Sequence, residues 1–224
     1  MKIREALSTL KRQANPANVA GMARFGINPR GTLGVSIPAL RKLAKEIGRD
    51  HALARQLWVS GIHEARVLAG LIADPAALTE REMERWVHDF DSWDICDQVC
   101  SNLFDKTPWA WKKAVEWTSR DKEFVKRAGF VLMAALSVHD KAAPDAGFLA
   151  FLPIIRREAV DDRNFVKKAV NWALRQIGKR NERLRKAAVK TAKNIRKIDS
   201  RSARWIAADA LRELQAVRKR KKHS

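Results

Sequence analysis

The chain has 224 residues, of which 46% are hydrophobic, and its 45 Lys and Arg against 25 Asp and Glu give a formal net charge of +20. The apolar content is enough for one domain or two small ones, and the longest apolar run, residues 129–138, is half of the ~20 residues that a membrane span needs. The charge exceeds the ~2–8 that solubility calls for, so it predicts a polyanionic partner, and the shortness of the apolar run predicts no membrane partner. Because the chain does not start with a signal peptide pattern, we expect a cytoplasmic protein, associated with the nucleoid if it is bacterial.

Nearly every segment has the three- and four-residue apolar spacing of an amphipathic helix, and no alternating strand pattern competes with it. The predicted helices cover residues 2–13, 16–25, 38–48, 50–59, 62–73, 76–88, 91–104, 108–118, 121–137, 145–157, 161–178, 181–197 and 200–217. Prolines fall at the expected first helical turns, at Pro16, Pro38, Pro75 and Pro108. The one long loop, residues 26–37, contains three glycines, but no Gly-Lys-Ser/Thr follows, which excludes a P-loop.

One five-residue phrase recurs with an offset of 41 residues, since residues 124–128 are repeated almost unchanged as residues 165–169. This period is typical of stacked two-helix repeats of the HEAT or armadillo kind, and short connections imply antiparallel neighbours. We therefore predict an all-α fold, an α-solenoid of HEAT-like antiparallel helix pairs, curved with a concave basic face. We expect a single domain, residues 1–217, followed by a basic, disordered tail, residues 218–224.

The positive charge is concentrated late in the chain, where residues 175–224 hold 18 Lys and Arg against four acidic residues. The repeated phrase also places a cation at the same point of two repeats, as Arg127 and Lys168. Within the predicted helix 181–197, five cations follow the helical spacing, and they are Arg183, Lys186, Lys190, Lys193 and Lys197. An apolar stripe lies on the opposite side, so we expect this basic stripe to face solvent and contact nucleic acid. An ordinary solvated helix face is the alternative.

The cysteines and histidines indicate neither a disulfide nor a metal site. Cys96 and Cys100 are four residues apart, too far on a helix for easy bridging, so we expect two reduced core thiols. The histidines are scattered without ligand spacing, and we expect ordinary surface or cap roles for His51, His63, His88 and His139. No metal and no cofactor is predicted.

Trp93 and Asp97 are four residues apart, so a helix places them on one face, one turn apart. Taken alone, a core tryptophan beside a surface aspartate is the simpler explanation. Trp172, however, follows Lys168 by four residues and therefore shares the face of the repeated cation. A groove that contains cations, tryptophans and one carboxylate is unusual for phosphate binding alone, because the carboxylate repels DNA.

One reaction needs this mixture of groups. Alkylation of a purine at N3 or N7 makes the base cationic and therefore a good leaving group. The positive charge that develops on the deoxyribose is what needs stabilising, and a fixed carboxylate does this and can hold the attacking water. Tryptophan faces attract cationic groups by ~0.5–2 kcal/mol, and Arg and Lys hold the flanking phosphates.

At these residues the chain resembles the DNA alkylation repair glycosylases of the AlkD type, which are HEAT-like solenoids. That family has a Trp-x-x-x-Asp motif on a central helix, matched by Trp93 and Asp97, and a Phe/Leu-x-x-Arg-Ala setting, matched by Arg127. A Lys-Ala-x-x-Trp-x-Leu-Arg stretch is matched by Lys168, Ala169, Trp172, Leu174 and Arg175. The loop 33–38 is also similar to a loop of the family. The similarity spans about residues 20–180, and the order and spacing of the motifs make it specific.

The resemblance implies a role for each matched residue. Asp97 would be the catalytic carboxylate, and Trp93 and Trp172 would pack against the deoxyribose of the lesion. Arg127 would hold a nearby phosphate, and we add Lys168 and Arg175 to the predicted DNA contacts. The resemblance further implies excision of cationic alkylpurines, such as 3-methyladenine and 7-methylguanine, from double-stranded DNA, without a deep base pocket.

Two positions depart from the family's pattern. Ser92 precedes Trp93 where the relatives have a Trp-Trp-Asp doublet, and Ser36-Ile37 replaces a polar pair that some relatives have in the loop. Either difference would alter the fit to DNA or the range of lesions. The presence of Asp97 favours an enzyme over the family's non-catalytic branches.

The sequence therefore predicts a monomeric, monofunctional and metal-independent DNA-alkylpurine glycosylase of base excision repair. The first alternative is a non-catalytic HEAT-like module that binds damaged or branched DNA, which would keep the basic stripe and not need Asp97. A protein scaffold or an RNA-associated solenoid is a further alternative.

Overall fold

The structure, a computed structural model, describes residues 1–220, with side chains described for residues 1–216. In this part of the chain the backbone forms α-helices, two short 3-10 helices and no strand. The helices are α1 (Ile3–Arg12), α2 (Pro16–Arg24), α3 (Ile37–Ile47), α4 (His51–Val59), α5 (His63–Ile72), α6 (Glu80–His88), α7 (Trp93–Asn102), α8 (Ala110–Glu116), α9 (Glu123–His139), α10 (Asp145–Glu158), α11 (Asn164–Arg180), α12 (Glu182–Ile195) and α13 (Arg201–Arg220). Each corresponds to one predicted helix, so the all-α prediction is confirmed.

The prolines mark the helix starts only in part. Pro16 and Pro38 lie in first turns, behind N-caps whose side chains accept backbone N–H groups. The predictions for Pro75 and Pro108 are wrong, because both residues lie in turns. Helix α6 begins only after the N-cap Thr79, and α8 begins only at Ala110. Thr79 and Glu82 form a reciprocal capping box, a stronger start signal than the proline.

The chain divides into two compact units, residues 1–109 and residues 110–224. In the first unit α5 is central, with eight of its ten residues buried, and it packs against α3, α4 and α7. Gly70 allows α7 to approach closely, because a Cβ at this position would lie 2.9 Å from a methyl carbon of Val99. The second half of α7 is thereby packed closely against α5 in the core of this unit.

In the second unit the helices form two rows. One row contains α9, α11 and α13, with α11 packed against both neighbours, and α8, α10 and α12 pack along the other row. Twelve of the 17 residues of α9 are buried, so this helix is the core of the unit. The repeated phrase stands at the start of α9 and of α11, where the rings of Phe124 and Phe165 lie 5.6 Å apart.

Two predictions concern the ends and the cysteines. The predicted tail, residues 218–224, lies outside the described side chains, and residues 221–224 lie outside the described residues altogether, so the tail stays a prediction. The single domain also stays a prediction. Cys96 and Cys100 are both buried core residues, as predicted, and neither forms a disulfide. Burial is the main cause that raises the pKa of the Cys100 thiol. None of the helices between residues 1 and 220 is long and apolar enough to cross a membrane.

Candidate functional site

The start of α7 is tied to the long loop that precedes α3. Ser92, which is fully buried, accepts a hydrogen bond at Oγ from the backbone N–H of Asn28, at 3.0 Å. Trp93 donates from Nε1 to the backbone carbonyl of Phe25, also at 3.0 Å. The two contacts hold the Trp93 indole in one orientation at the N-terminal end of α7.

Trp93 and Asp97 lie one helical turn apart on α7, and both are partly exposed. The apolar residues between and after them are buried, namely Ile95, Cys96, Val99 and Cys100. The helix therefore divides into a core side and a partly accessible side that carries the indole and the carboxylate together. Such a face can place a negative charge beside an electron-deficient group that rests on the indole.

Asp94, which lies between these two residues in sequence, has a different environment. Its Oδ2 lies 2.8 Å from Nε2 of His63, and both side chains are buried. Burial lowers the pKa of His63, but the hydrogen bond and the charge of Asp94 outweigh it, so the pKa is raised above the ordinary 6.5. The expectation of a surface or cap role for His63 is therefore wrong, because this residue is a core partner of α7.

A buried carboxylate that the sequence analysis missed holds the loop before α3. Glu64 accepts backbone N–H groups from Leu33 at 2.8 Å, from Gly34 at 2.6 Å and from Val35 at 3.3 Å. Three such bonds compensate a buried negative charge and fix the loop. The loop and the start of α7 thus form one rigid assembly within the first unit.

In the second unit the two repeated cations have different environments. Lys168 is exposed on α11, one turn before the partly exposed Trp172. Arg127 is only 5% exposed, and its guanidinium donates to the backbone carbonyl of Phe165 at 2.6 Å. The expected surface repeat of positive charge is interrupted at Arg127, and its phosphate contact stays a prediction that this burial does not favour.

Arg175, another predicted DNA contact, is engaged in ion pairs. It pairs with Glu213 of α13, and its guanidinium lies 3.7 Å from a carboxylate oxygen of Asp209. Lys179 pairs with the same Glu213. Burial raises the pKa of Glu213, but these two cations outweigh it and lower it. Much of the charge of Arg175 is therefore balanced within the protein.

The five cations of the basic stripe on α12 and just after it are all exposed, while Leu184, Ala188 and Ile195 are buried on the opposite side. Arg183 lies 4.0 Å from Asp145. For the other four cations no acidic partner is found among the described residues, and they are Lys186, Lys190, Lys193 and Lys197. The stripe therefore presents uncompensated positive charge to solvent.

The sequence matches the family described as DNA alkylation repair enzyme over residues 6–214, which is most of its length. The chain belongs to this family. None of the curated proteins matches the chain. A solved structure described as "A new family of proteins related to the HEAT-like repeat DNA glycosylases with affinity for branched DNA structures" matches with a TM-score of 0.79 and 21% identity, covering 96% of each chain. This likeness confirms the HEAT-like fold.

For this member of the DNA alkylation repair enzyme family, the structure brings together Trp93 with Asp97 in the first unit and Lys168 with Trp172 in the second. Sequence reasoning missed Glu64, His63 and Phe25 as partners of the site. The signal for Glu64 was faint, since a glutamate at the start of a helix more often caps it than reaches a loop 30 residues earlier.

Proposed function

We propose that this family member is a DNA glycosylase that removes cationic N3- or N7-alkylated purines from double-stranded DNA. The observation that supports this most strongly is the partly accessible face of α7. It combines an indole, held by the Phe25 carbonyl, with the carboxylate of Asp97 one turn away. A protein that only holds phosphates has no use for a carboxylate at such a place.

The proposed reaction needs little general acid. The bond between C1′ and the cationic base breaks with both electrons moving to the base, which leaves as a neutral purine. The positive charge that develops at C1′ and O4′ is stabilised by the negative charge of Asp97. Water then attacks C1′ and releases a proton, which the Asp97 carboxylate accepts. Trp93 packs its face against the electron-poor sugar.

DNA binding in this proposal comes from the basic stripe on α12, with Lys168 on α11. Exposed cations without acidic partners neutralise phosphates and release counterions, which makes the affinity depend on salt. Arg127 and Arg175 contribute less, since one is buried and the other is paired.

The test is release of 7-methylguanine from methylated duplex DNA by wild type and by Asp97→Asn. The exchange keeps the size of the side chain and removes its charge, so we expect the excision rate to fall by at least ~100-fold with little change in DNA affinity. Asp162→Asn is the matched control, because Asp162 is an exposed acidic residue of the second unit. Unchanged excision by Asp97→Asn would contradict the proposed mechanism.

A second candidate function is binding of branched DNA without catalysis. It is favoured by the description of the similar structure and by the burial of Arg127. In that case the wild type would release no base, and it would bind a four-way junction at least ~10-fold more tightly than a linear duplex of the same length at equal salt. Excision without a preference for junctions would exclude this candidate.

A further inference from the structure

One tryptophan of the second unit lies on the surface instead of in the core. All eight tryptophans fall within the described residues, and Trp205 on α13 is the only exposed one, at 41%. The opposite side of α13 carries the packing, since Ala203, Ile206 and Ala207 are fully buried there. The indole is therefore not needed to fill the core. Tryptophans are enriched in binding surfaces, because the ring offers a large and rigid contact area.

A cation from the neighbouring helix lies on this ring. Nζ of Lys167 on α11 is 5.2 Å from the centroid of the Trp205 ring, which is the distance of a cation–π contact. Arg201, one turn before Trp205 on the same helix, is exposed. For neither Lys167 nor Arg201 is an acidic partner found within residues 1–216. The indole is thus bordered by two cations that no acid balances.

The acidic groups near the indole are paired with arginines. Asp209, one turn after Trp205, pairs with Arg212. Asp199 lies 2.9 Å from Arg204, and its side chain is fully exposed, so water screens this pair. The surface around Trp205 therefore keeps an excess of positive charge and is complementary to an anionic partner.

A flat ring beside cations without acidic partners matches the two parts of a nucleotide. A base stacks on an aromatic ring, and the phosphate next to it is attracted by the cations. Inside a duplex the neighbouring base pairs cover the faces of each base, so only an unpaired nucleotide can use the ring in this way. We propose that Trp205, with Lys167 and Arg201, is a binding site for an unpaired nucleotide of a DNA strand.

This site is next to a predicted contact with duplex DNA. Lys168 follows Lys167 directly in sequence and is exposed one turn before Trp172. Helix α11 carries both lysines and packs against α13, which carries Trp205. A strand that leaves a duplex held at Lys168 can therefore place an unpaired nucleotide at Trp205. The inference rests only on the DNA binding that the two candidate functions share, and it does not require excision.

The experiment titrates the full chain into three labelled DNAs at equal salt and follows fluorescence anisotropy. The DNAs are a dT strand of about 12 nucleotides, an abasic strand of the same length and a duplex of the same length. The abasic strand keeps the phosphates and lacks the bases, so it isolates the effect of stacking. We expect wild type to bind the dT strand about tenfold more tightly than the abasic strand. Equal affinity for the two strands would overturn the inference.

Two variants at one position test the stacking. Trp205→Leu keeps an apolar side chain without a ring, so it should weaken binding of the dT strand about tenfold and binding of the other two DNAs less than about twofold. Trp205→Phe keeps a ring and should bind the dT strand within about threefold of wild type. Val160→Ala, which shortens another exposed apolar side chain of the second unit, should bind like wild type. Thermal melting checks that all three variants are folded.

Two results with Trp205→Leu contradict the site. Unchanged binding of the dT strand would show that the indole does not contact the base. An equal loss of affinity for the dT strand, the abasic strand and the duplex would show that the indole contacts DNA without stacking on an unpaired base.

The contact with phosphate is tested with Arg201→Gln. This exchange removes one cation and should weaken binding of the dT strand and of the abasic strand alike. The slope of log affinity against log salt should fall by about 0.7, the value for one phosphate of a single strand. An unchanged slope would contradict the contact proposed for Arg201.

Excision of 7-methylguanine by wild type is measured beside these titrations, so that the two proposals can fail separately. If wild type releases the base and Trp205→Leu binds the dT strand like wild type, the nucleotide site is wrong and the proposed function stands. If Trp205→Leu loses affinity for the dT strand alone and wild type releases no base, the nucleotide site stands and the proposed glycosylase activity is wrong.

Discussion

The two units of the chain differ sharply in charge. Residues 1–109 carry 15 Lys and Arg against 13 acidic residues, whereas residues 110–224 carry 30 against 12. The nearly neutral unit holds Trp93 and Asp97, and the strongly basic unit holds the exposed stripe of α12. Attraction of phosphates needs cations that acids do not balance, and the exposed stripe of α12 supplies such cations. Chemistry and DNA affinity should therefore be separable by mutation.

The largest expected effect of this kind comes from removing charge in the second unit. Replacing Lys186, Lys190 and Lys193 by Gln should weaken DNA binding about 100-fold at low salt, because each cation neutralises about one phosphate. The slope of log affinity against log salt should fall by about 3. Fluorescence anisotropy with a labelled duplex at several salt concentrations measures both quantities.

The matched control removes the same charge from the first unit. Lys11, Lys42 and Lys45 are exposed there, and their replacement by Gln should reduce the affinity far less. An equal loss of DNA affinity in the two triple variants would contradict this division between the units, because DNA binding would then depend equally on the cations of both.

A smaller effect is expected in the stability of the second unit. Asp161 lies 2.6 Å from Arg163 and 3.0 Å from Lys126, and although burial raises its pKa, the two cations outweigh burial and lower it to about 2. A carboxylate with a lowered pKa stabilises the fold above its unfolded value of 3.8 and loses this effect as the pH falls toward 2.

Asp161→Asn should therefore lower the free energy of unfolding by about 1–3 kcal/mol at neutral pH and lessen the loss of stability in acid. Urea unfolding at neutral and acidic pH measures this. Asp162→Asn, at the exposed neighbour, should change it by less than ~0.5 kcal/mol. If the variant is as stable as wild type at neutral pH, the attraction within the ion pairs only offsets the free energy that is needed to bury their charges, and the expected stabilisation is absent.

The smallest effect concerns the first unit, and it has the opposite pH dependence. The raised pKa of His63 means that its contribution to stability is complete below 6.5 and is lost as the pH rises through the folded value. The free energy of the opening that exposes the amides of α5 and α7 to exchange should fall by about 1 kcal/mol between about pH 6 and about pH 8. Hydrogen exchange, corrected for intrinsic rates, measures this.

Asp94→Asn should remove that dependence, since it removes the charge that raises the pKa of His63. His88→Gln, at an exposed histidine of α6, should leave it intact. Protection that increases with pH in the wild type would reverse the sign and contradict the role given to the His63–Asp94 pair.

Local patterns in the sequence were reliable where a feature depends on one helix. The stripe of α12 and the shared face of Trp93 and Asp97 both follow from helical spacing, and the structure has them as predicted. Pro75 was misleading because a first-turn proline and a turn proline have the same sequence context until the following cap is considered.

Features that depend on distant contacts could not be predicted. Arg127 and Lys168 occupy the same place in nearly identical five-residue segments. The Arg127 guanidinium, however, donates a hydrogen bond to the backbone carbonyl of Phe165 in the next repeat. Glu64, His63 and Phe25 find their partners between 29 and 68 residues away. Periodicity within one helix carries no information about such pairings.

Ser92 has a consequence for protein engineering. Its hydroxyl anchors the amide of Asn28 in a fully buried position, so a bulky ring there would have to displace the loop that contains Asn28. Grafting a tryptophan doublet from a relative onto this scaffold would therefore also require that relative's loop. A chimera should therefore exchange the start of α7 and this loop together.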